Sequence, residues 1–158
     1  MFRTVARAKQ AMTREECIAL LQSEKRGILS VLGDQGYPYG MPLNHYYCPE
    51  DGRLYFHCGK AGHRMDALGA CDRVSYCVMD PGSRDPGDWA LRFRSVIVFG
   101  RVEFLEDRGR IYEICTRLSR QFTLDEAYIA EEIRRFGPAT CVFSITPEHI
   151  TGKRVREA

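Results

Sequence analysis

Residues 54–68 change period half way along, and this constrains the fold more than any other stretch of the chain. Leu54 and Phe56 alternate with Tyr55 and His57, the period of two that suits a pleated strand. From Met65 the spacing turns helical, with Ala67, Leu68 and Ala70 supplying good helix formers. Between the two lies Gly59-Lys60-Ala61-Gly62-His63-Arg64. A glycine-containing turn from strand into helix presents free backbone N–H groups, and basic side chains beside them make a seat for phosphate. On spacing alone the same residues also describe an ordinary connection with solvated charges.

The rest of the chain supplies strands more often than helices. Thr13-Arg14-Glu15-Glu16 is a capping box that starts a short helix over residues 13–24. Residues 27–32 predict a strand, 33–36 a hairpin turn and 37–47 the return strand. Pro38 and Pro42 interrupt that return strand, so it belongs at an edge or a bulge. Residues 73–79 predict another strand, 80–88 a loop, and 89–105 a long strand bent at Gly100. Asp107 caps a helix whose stripe of Ile111, Ile114, Cys115 and Leu118 is core. A second helix over 124–136 ends at Gly137-Pro138, and strands at 139–145 and 149–155 follow. Strands joined mainly by hairpins predict one mainly β domain over residues 1–158, an antiparallel barrel with peripheral helices. Residues 1–12 form a basic arm that either frays or orders against a partner.

Composition narrows the function classes. The net charge of +2 gives no field aimed at nucleic acid or a membrane surface. No apolar run approaches the roughly 20 residues of a membrane span, and the first residues lack the apolar core of a signal peptide. The cysteines number seven and none forms a CxxC pair, which argues against a disulfide framework or a zinc site and for a reducing cytoplasm. Cys71, Cys77, Cys115 and Cys141 lie in apolar patterns and are expected as buried thiols.

The order of motifs carries more than any one of them. Gly36-Tyr37-Pro38-Tyr39-Gly40-Met41-Pro42-Leu43-Asn44 precedes Leu54-Tyr55-Phe56-His57, then Gly62-His63-Arg64-Met65-Asp66-Ala67-Leu68 and Arg73-Val74. Arg94-Ser95-Val96-Ile97-Val98-Phe99-Gly100 follows, and Ile150-Thr151-Gly152-Lys153 closes the series. Over residues 13–153 this resembles the pyridoxamine 5'-phosphate oxidase-like family of flavin-binding split barrels, nearest to its Nim-type nitroimidazole-resistance branch. The resemblance implies a six-stranded split barrel that forms a homodimer with FMN at the interface. It places the strand of Met41, Pro42, Leu43 and Asn44 beside the flavin ring. It implies that His57, at the strand end, is the flavin-proximal and catalytic histidine, and that Arg64 stands where relatives bind the FMN phosphate with lysine. Cys58, Lys60, Gly62 and His63 flank that phosphate position, and Arg94, Ser95 and Val96 bring a polar approach to the ring. Arginine grips phosphate bidentately, so the exchange for lysine preserves the chemistry. Gly62 lacks a hydroxyl that some relatives offer the phosphate, a gap that Lys60 or His63 can fill. The pyridoxamine oxidase itself carries a longer C-terminal segment that holds its substrate, which argues against that reaction here.

Three classes of function follow. The first is an FMN-dependent oxidoreductase acting on a small-molecule redox substrate, nitroreductase-like. The second is a flavin store or redox sensor without turnover. The third is a haem-binding split barrel with His57 or His45 as axial ligand. His45, Tyr46 and Tyr47 either line the substrate side of the flavin or belong to the core. Cys58, beside His57 and Lys60, is either a redox thiol or a bystander.

Overall fold

The computed structural model describes residues 1–157. Seven strands form one antiparallel sheet in the order β2-β1-β5-β6-β7-β4-β3. They are β1 (Arg26–Leu32), β2 (Pro38–Asn44), β3 (Tyr46–Cys48), β4 (Arg53–Cys58), β5 (Arg73–Met79), β6 (Leu91–Phe104) and β7 (Cys141–Glu157). Four α-helices accompany them among the described residues: α1 (Arg14–Ser23), α2 (His63–Ala70), α3 (Arg108–Arg120) and α4 (Glu126–Phe136).

The two edge strands, β2 and β3, are separated in the chain by His45 alone. A flat seven-stranded sheet would hold its edges about 29 Å apart at roughly 4.8 Å per strand. Asn44 and Tyr46 can be no more than about 7 Å apart along the backbone. The sheet must therefore roll until its edges meet, and this makes the barrel. The expected single strand over residues 37–47 is in fact two strands at opposite edges, and the sheet has seven strands where the resemblance implies six.

His45 pins the seam. It is fully buried. Its N–H donates to Lys25 O at 3.0 Å, and its ring spans Leu21 O (Nε2, 2.7 Å) and the Tyr76 hydroxyl (Nδ1, 2.8 Å). The same hydroxyl lies 3.0 Å from Leu43 O. Burial lowers the His45 pKa to about 4. The ring is therefore neutral, with Nε2–H donating to Leu21 O and Nδ1 left to accept. Close packing joins the hydrogen bonds, since a Cβ at Gly27 would sit 2.7 Å from the Tyr76 ring.

Local chemistry explains most element boundaries. Glu16 N–H donates to Thr13 Oγ1 (3.2 Å) and Thr13 N–H to Glu16 Oε2 (2.8 Å), the reciprocal cap that starts α1. The Asp107 and Asp125 side chains cap α3 and α4 by accepting from N–H groups of the first turn. The predicted bend at Gly100 is a register shift, and a Cβ there would lie 2.5 Å from Thr146 O. The bulge lets Pro147 sit opposite Gly100 without costing the ladder a donor. The strands expected at 139–145 and 149–155 are for that reason one strand, β7.

The interior is filled by Phe56, Tyr76 and Phe143, with Phe56 4.9 Å from each of the other two rings. α1 adds Cys17, Leu20 and Leu21, and α3 packs Ile111, Ile114 and Leu118 outside β3 and β4. The buried thiols are Cys17, Cys48 and Cys58, whereas Cys71, Cys77, Cys115 and Cys141 are only half-buried. All seven are free. Across five strands the outer sheet face presents a row of Pro42, Ile28, Cys77, Ile97 and Thr151. Ile28, Ile97, Phe99 and Met79 are all exposed on this side. Among the described residues no helix is long and apolar enough to cross a membrane.

Candidate functional site

β4 delivers His57 and Cys58 to the turn before α2. Gly62 is the N-cap at φ 110°, a conformation that glycine adopts without strain, and no side chain caps the helix. Met65 and Asp66 N–H groups donate back to Gly62 O at 2.8 and 3.2 Å. The N–H groups of the first helical residues, His63 and Arg64, have no intrahelical acceptor. A Cβ added at Gly59 or Gly62 would meet nothing within 4 Å, so open space lies before the helix. Arg64 is half-buried, and its Nε is buried without a hydrogen-bond partner among the described residues.

The neighbouring basic groups are committed elsewhere. Lys60 Nζ donates to Pro138 O at 2.8 Å. His63 stacks on Tyr39 with ring centroids 4.2 Å apart and holds Nε2 3.6 Å from Asp34 Oδ2. Cys58 is buried beside Met65 Sδ, and burial together with Cys141 pushes its thiol up to about 11. A thiol so protonated is no thiolate nucleophile at neutral pH, which favours the bystander reading.

Alternation along β2 sorts the next group. Met41 is buried in the core and Leu43 packs against it, while Pro42 is exposed and Asn44 half-exposed. Asn44 Oδ1 accepts from Arg26 Nε at 2.8 Å. Arg26, Pro42, Leu43, Asn44 and His57 line one cleft, and Asn44 and His57 also face a 220 Å³ pocket walled by Leu118, Phe122, Ile133 and Phe136 of the α3–α4 region. His57 is exposed at the mouth, yet protein crowds the ring, and desolvation, then the Arg64 charge, lower its pKa from 6.5.

The β6 residues stand apart from this cleft. Val96 is fully buried and turned into the barrel. Ser95 shares the outer face with Ile97, opposite Met79 and Lys153. Arg94 Nε donates to Asp80 Oδ2 at 2.8 Å and lines another cavity. Within one chain, then, Asn44 and His57 share a cleft and the Arg64 charge acts on His57, while Arg94, Ser95 and Val96 line neither that cleft nor its pocket. His45, Tyr46 and Tyr47 are also sorted. His45 and Tyr47 are core, and Tyr46 accepts from Arg117 at 2.9 Å. With both ring nitrogens engaged, His45 cannot serve as an axial ligand without opening the seam.

Sequence reasoning missed Arg26, which orients Asn44, and the apolar wall of Phe122, Ile133 and Phe136. The half-exposed aromatics Phe122 and Phe136, outside the stripe of α3, were the available signal.

Comparison with known proteins agrees with this architecture. A candidate 5-nitroimidazole antibiotic resistance protein from Bacteroides thetaiotaomicron superposes with a TM-score of 0.76 at 19% identity, over 92% of this chain and 87% of that one. An FAD-binding protein from Mesorhizobium loti gives 0.66 at 24% identity, over 92% and 97%. A flavocytochrome from Azotobacter vinelandii gives 0.69 at 22% identity, over 98% and 73%. At these identities the likeness is one of fold. No curated protein sequence matches the chain. The sequence family described as pyridoxamine 5'-phosphate oxidase matches residues 13–154, which is nearly the whole of the chain, and to that family the chain belongs.

Proposed function

We propose that this protein is a flavin-dependent oxidoreductase of the Nim-type branch, with FMN held at a homodimer interface and a nitro-bearing or similar small molecule as electron acceptor. The observation that carries the reading is Arg64. Its Nε is buried and unpartnered beside a helix N-terminus that no side chain caps. A phosphate set there would meet the guanidinium and aligned N–H groups at once. The open space before Gly62 admits it, so the residues present fit the group.

Bound flavin supplies transfer of electrons in pairs to a substrate stacked near its ring. The chain's own residues do the rest. Arg64 and the start of α2 hold the phosphate. Asn44, oriented by Arg26, offers an amide donor at the cleft where a ring would lie. Phe122, Ile133 and Phe136 give the 220 Å³ pocket an apolar wall that excludes water. His57, at the mouth, holds a proton on its ring for delivery to an acceptor that has gained electrons. Ser95 lies on the outer sheet face and reaches a flavin only across an interface. The exposed row of Ile28, Ile97 and Phe99 supports a second copy of the chain as its cover. Seven free thiols suit a reducing cytoplasm.

The test is a visible spectrum of the purified protein. Bands near roughly 370 and 450 nm, the ordinary absorption of bound flavin, are the expected result. Anaerobic bleaching by NAD(P)H and recovery on adding a nitroaromatic then separate an enzyme from a store. Light scattering is expected to show a dimer, and Ile97→Asp a monomer. A monomer that keeps FMN bound would remove the interface from the proposal.

A further inference from the structure

One end of the β6–β7 ribbon carries four arginines on one face. Arg92 stands directly opposite Arg156, and Arg94 opposite Arg154. Residues two apart on a strand project to the same side, so all four point together. Like charges placed directly opposite destabilise a strand pair. Such an arrangement is not what sheet stability alone would select.

These arginines line a cavity of about 960 Å³ together with Lys9 and Gln10. Carboxylates hold them in place. Arg92 pairs with Asp85 and Asp88, Arg156 with Asp88 at 2.9 Å, Arg94 with Asp80 at 2.8 Å and Arg154 with Glu16 at 3.0 Å. A guanidinium has about five N–H donors, so one or two carboxylate contacts leave several unused. The Gln10 side-chain oxygen is buried and accepts from no donor among the described residues. A ligand that offers negative charge in place of those carboxylates, and a hydroxyl or N–H for Gln10, fits both features.

The cavity also connects to the His57 cleft. Glu24, Asp80 and Pro81 line both the cavity and a groove that continues to Arg26, Asn44 and Phe122. Asn44 and Phe122 in turn line the pocket that His57 faces.

We propose that the arginine cavity binds the phosphates of a nucleotide, with a ribose hydroxyl donating to Gln10. Its connection to the cleft makes it the anchoring end for a nucleotide electron donor whose reacting end lies at His57. That second statement rests on the function proposed above; the binding site itself does not. Bidentate guanidinium–phosphate contacts provide the affinity, and the carboxylates of the loop before β6 compete for the same donors.

The test is calorimetric titration with ADP at low salt, in the presence of saturating FMN. Saturable binding is expected, weakened tenfold or more by Arg92→Ala and by Arg156→Ala and less by Arg156→Lys. Asp85→Asn, which removes a competitor of phosphate, is expected to strengthen binding. Arg64→Ala is expected to leave ADP affinity unchanged. Absence of ADP binding, or binding indifferent to Arg92→Ala and Arg156→Ala, overturns the site. ADP binding that appears only when FMN is omitted, and is then lost in Arg64→Ala, assigns the nucleotide to the α2 seat and overturns the arginine cavity while leaving the phosphate role of Arg64 standing.

Discussion

His45 and the Arg64–His57 corner are close in sequence and opposite in circumstance. His45 is fully buried, and its N–H and both ring nitrogens have partners. Arg64 keeps a buried Nε with none, at the head of a helix with open space before it. His57, beside it, is exposed, and its ring makes no hydrogen bond among the described residues. Burying an unpartnered polar group is costly. A fold that engages a ring on both sides at one buried site and leaves another open shows where it is closed upon itself and where it is built to receive something. The same residue type serves architecture at position 45 and is free for chemistry at position 57.

The contrast breaks most severely at the seam. His45→Ala leaves Leu21 O without its ring donor, takes from the Tyr76 hydroxyl one of its two neighbours and opens a void, at an expected cost of about 3–5 kcal/mol of unfolding free energy. Urea denaturation measures it, and a loss below about 1 kcal/mol would show that the seam holds without the ring.

Titration sharpens the same point. The folded pKa of His45 is about 4, against 6.5 for a free ring. Below pH 6.5 the unfolded chain binds a proton that the folded chain refuses. Stability is therefore complete above pH 6.5 and falls as the pH drops toward 4, by about 3 kcal/mol in all at roughly 1.36 kcal/mol per pH unit. Denaturation series of wild type and His45→Gln are expected to differ in slope across this window and run parallel above it.

At the open corner the effect moves from stability to binding. Arg64→Ala is expected to change flavin-free stability by less than about 0.5 kcal/mol. FMN affinity is expected to fall ten- to a hundred-fold, matching about 1.5–3 kcal/mol for a charge-assisted contact. Arg64→Lys restores most of it. Equal FMN affinity in wild type and Arg64→Ala would detach the phosphate from this residue.

The smallest effect is expected at His57. Its pKa lies below the ordinary 6.5, chiefly through desolvation and then through Arg64. The protonated ring is a minority species at neutral pH and grows as pH falls. His57→Ala is expected to slow substrate-dependent reoxidation about tenfold near pH 7, under the usual ~10²–10⁴ of a placed acid. The deficit widens toward acid pH. Equal stopped-flow rates at all pH values would make His57 a packing residue.

What the sequence disclosed follows the range of the interactions involved. β1, β5, the capped helices and the bend at Gly100 depend on neighbours a few residues away, so period and capping reveal them. The break at His45 depends on Leu21 and Tyr76, which are remote in the chain, and nothing in Leu43-Asn44-His45-Tyr46-Tyr47 announces it. Pro147 reads locally as a strand breaker and is harmless only because Gly100 bulges opposite. At the site, motif order named Asn44, His57 and Arg64 as one group, of which Asn44 and His57 line one cleft. It also grouped Met41 and Val96 with them, whose side chains alternation turns into the core. Arg26 and the α3–α4 wall were invisible because they meet the cleft through tertiary contact alone.

The place of β7 governs the order in which the barrel can assemble. β4 and β3 join the sheet only through β7, the last strand in sequence, whereas β2, β1, β5 and β6 pair among themselves. As the chain leaves the ribosome, the first four partners can form a sheet while the β3–β4 hairpin waits with an unsatisfied edge. It waits until residues 141–145 arrive to pair with β4. Edges held open in this way favour pairing with other chains. Closure of the barrel is thus a late event in synthesis, and a chain cut short before Cys141 would carry two unjoined pieces of sheet.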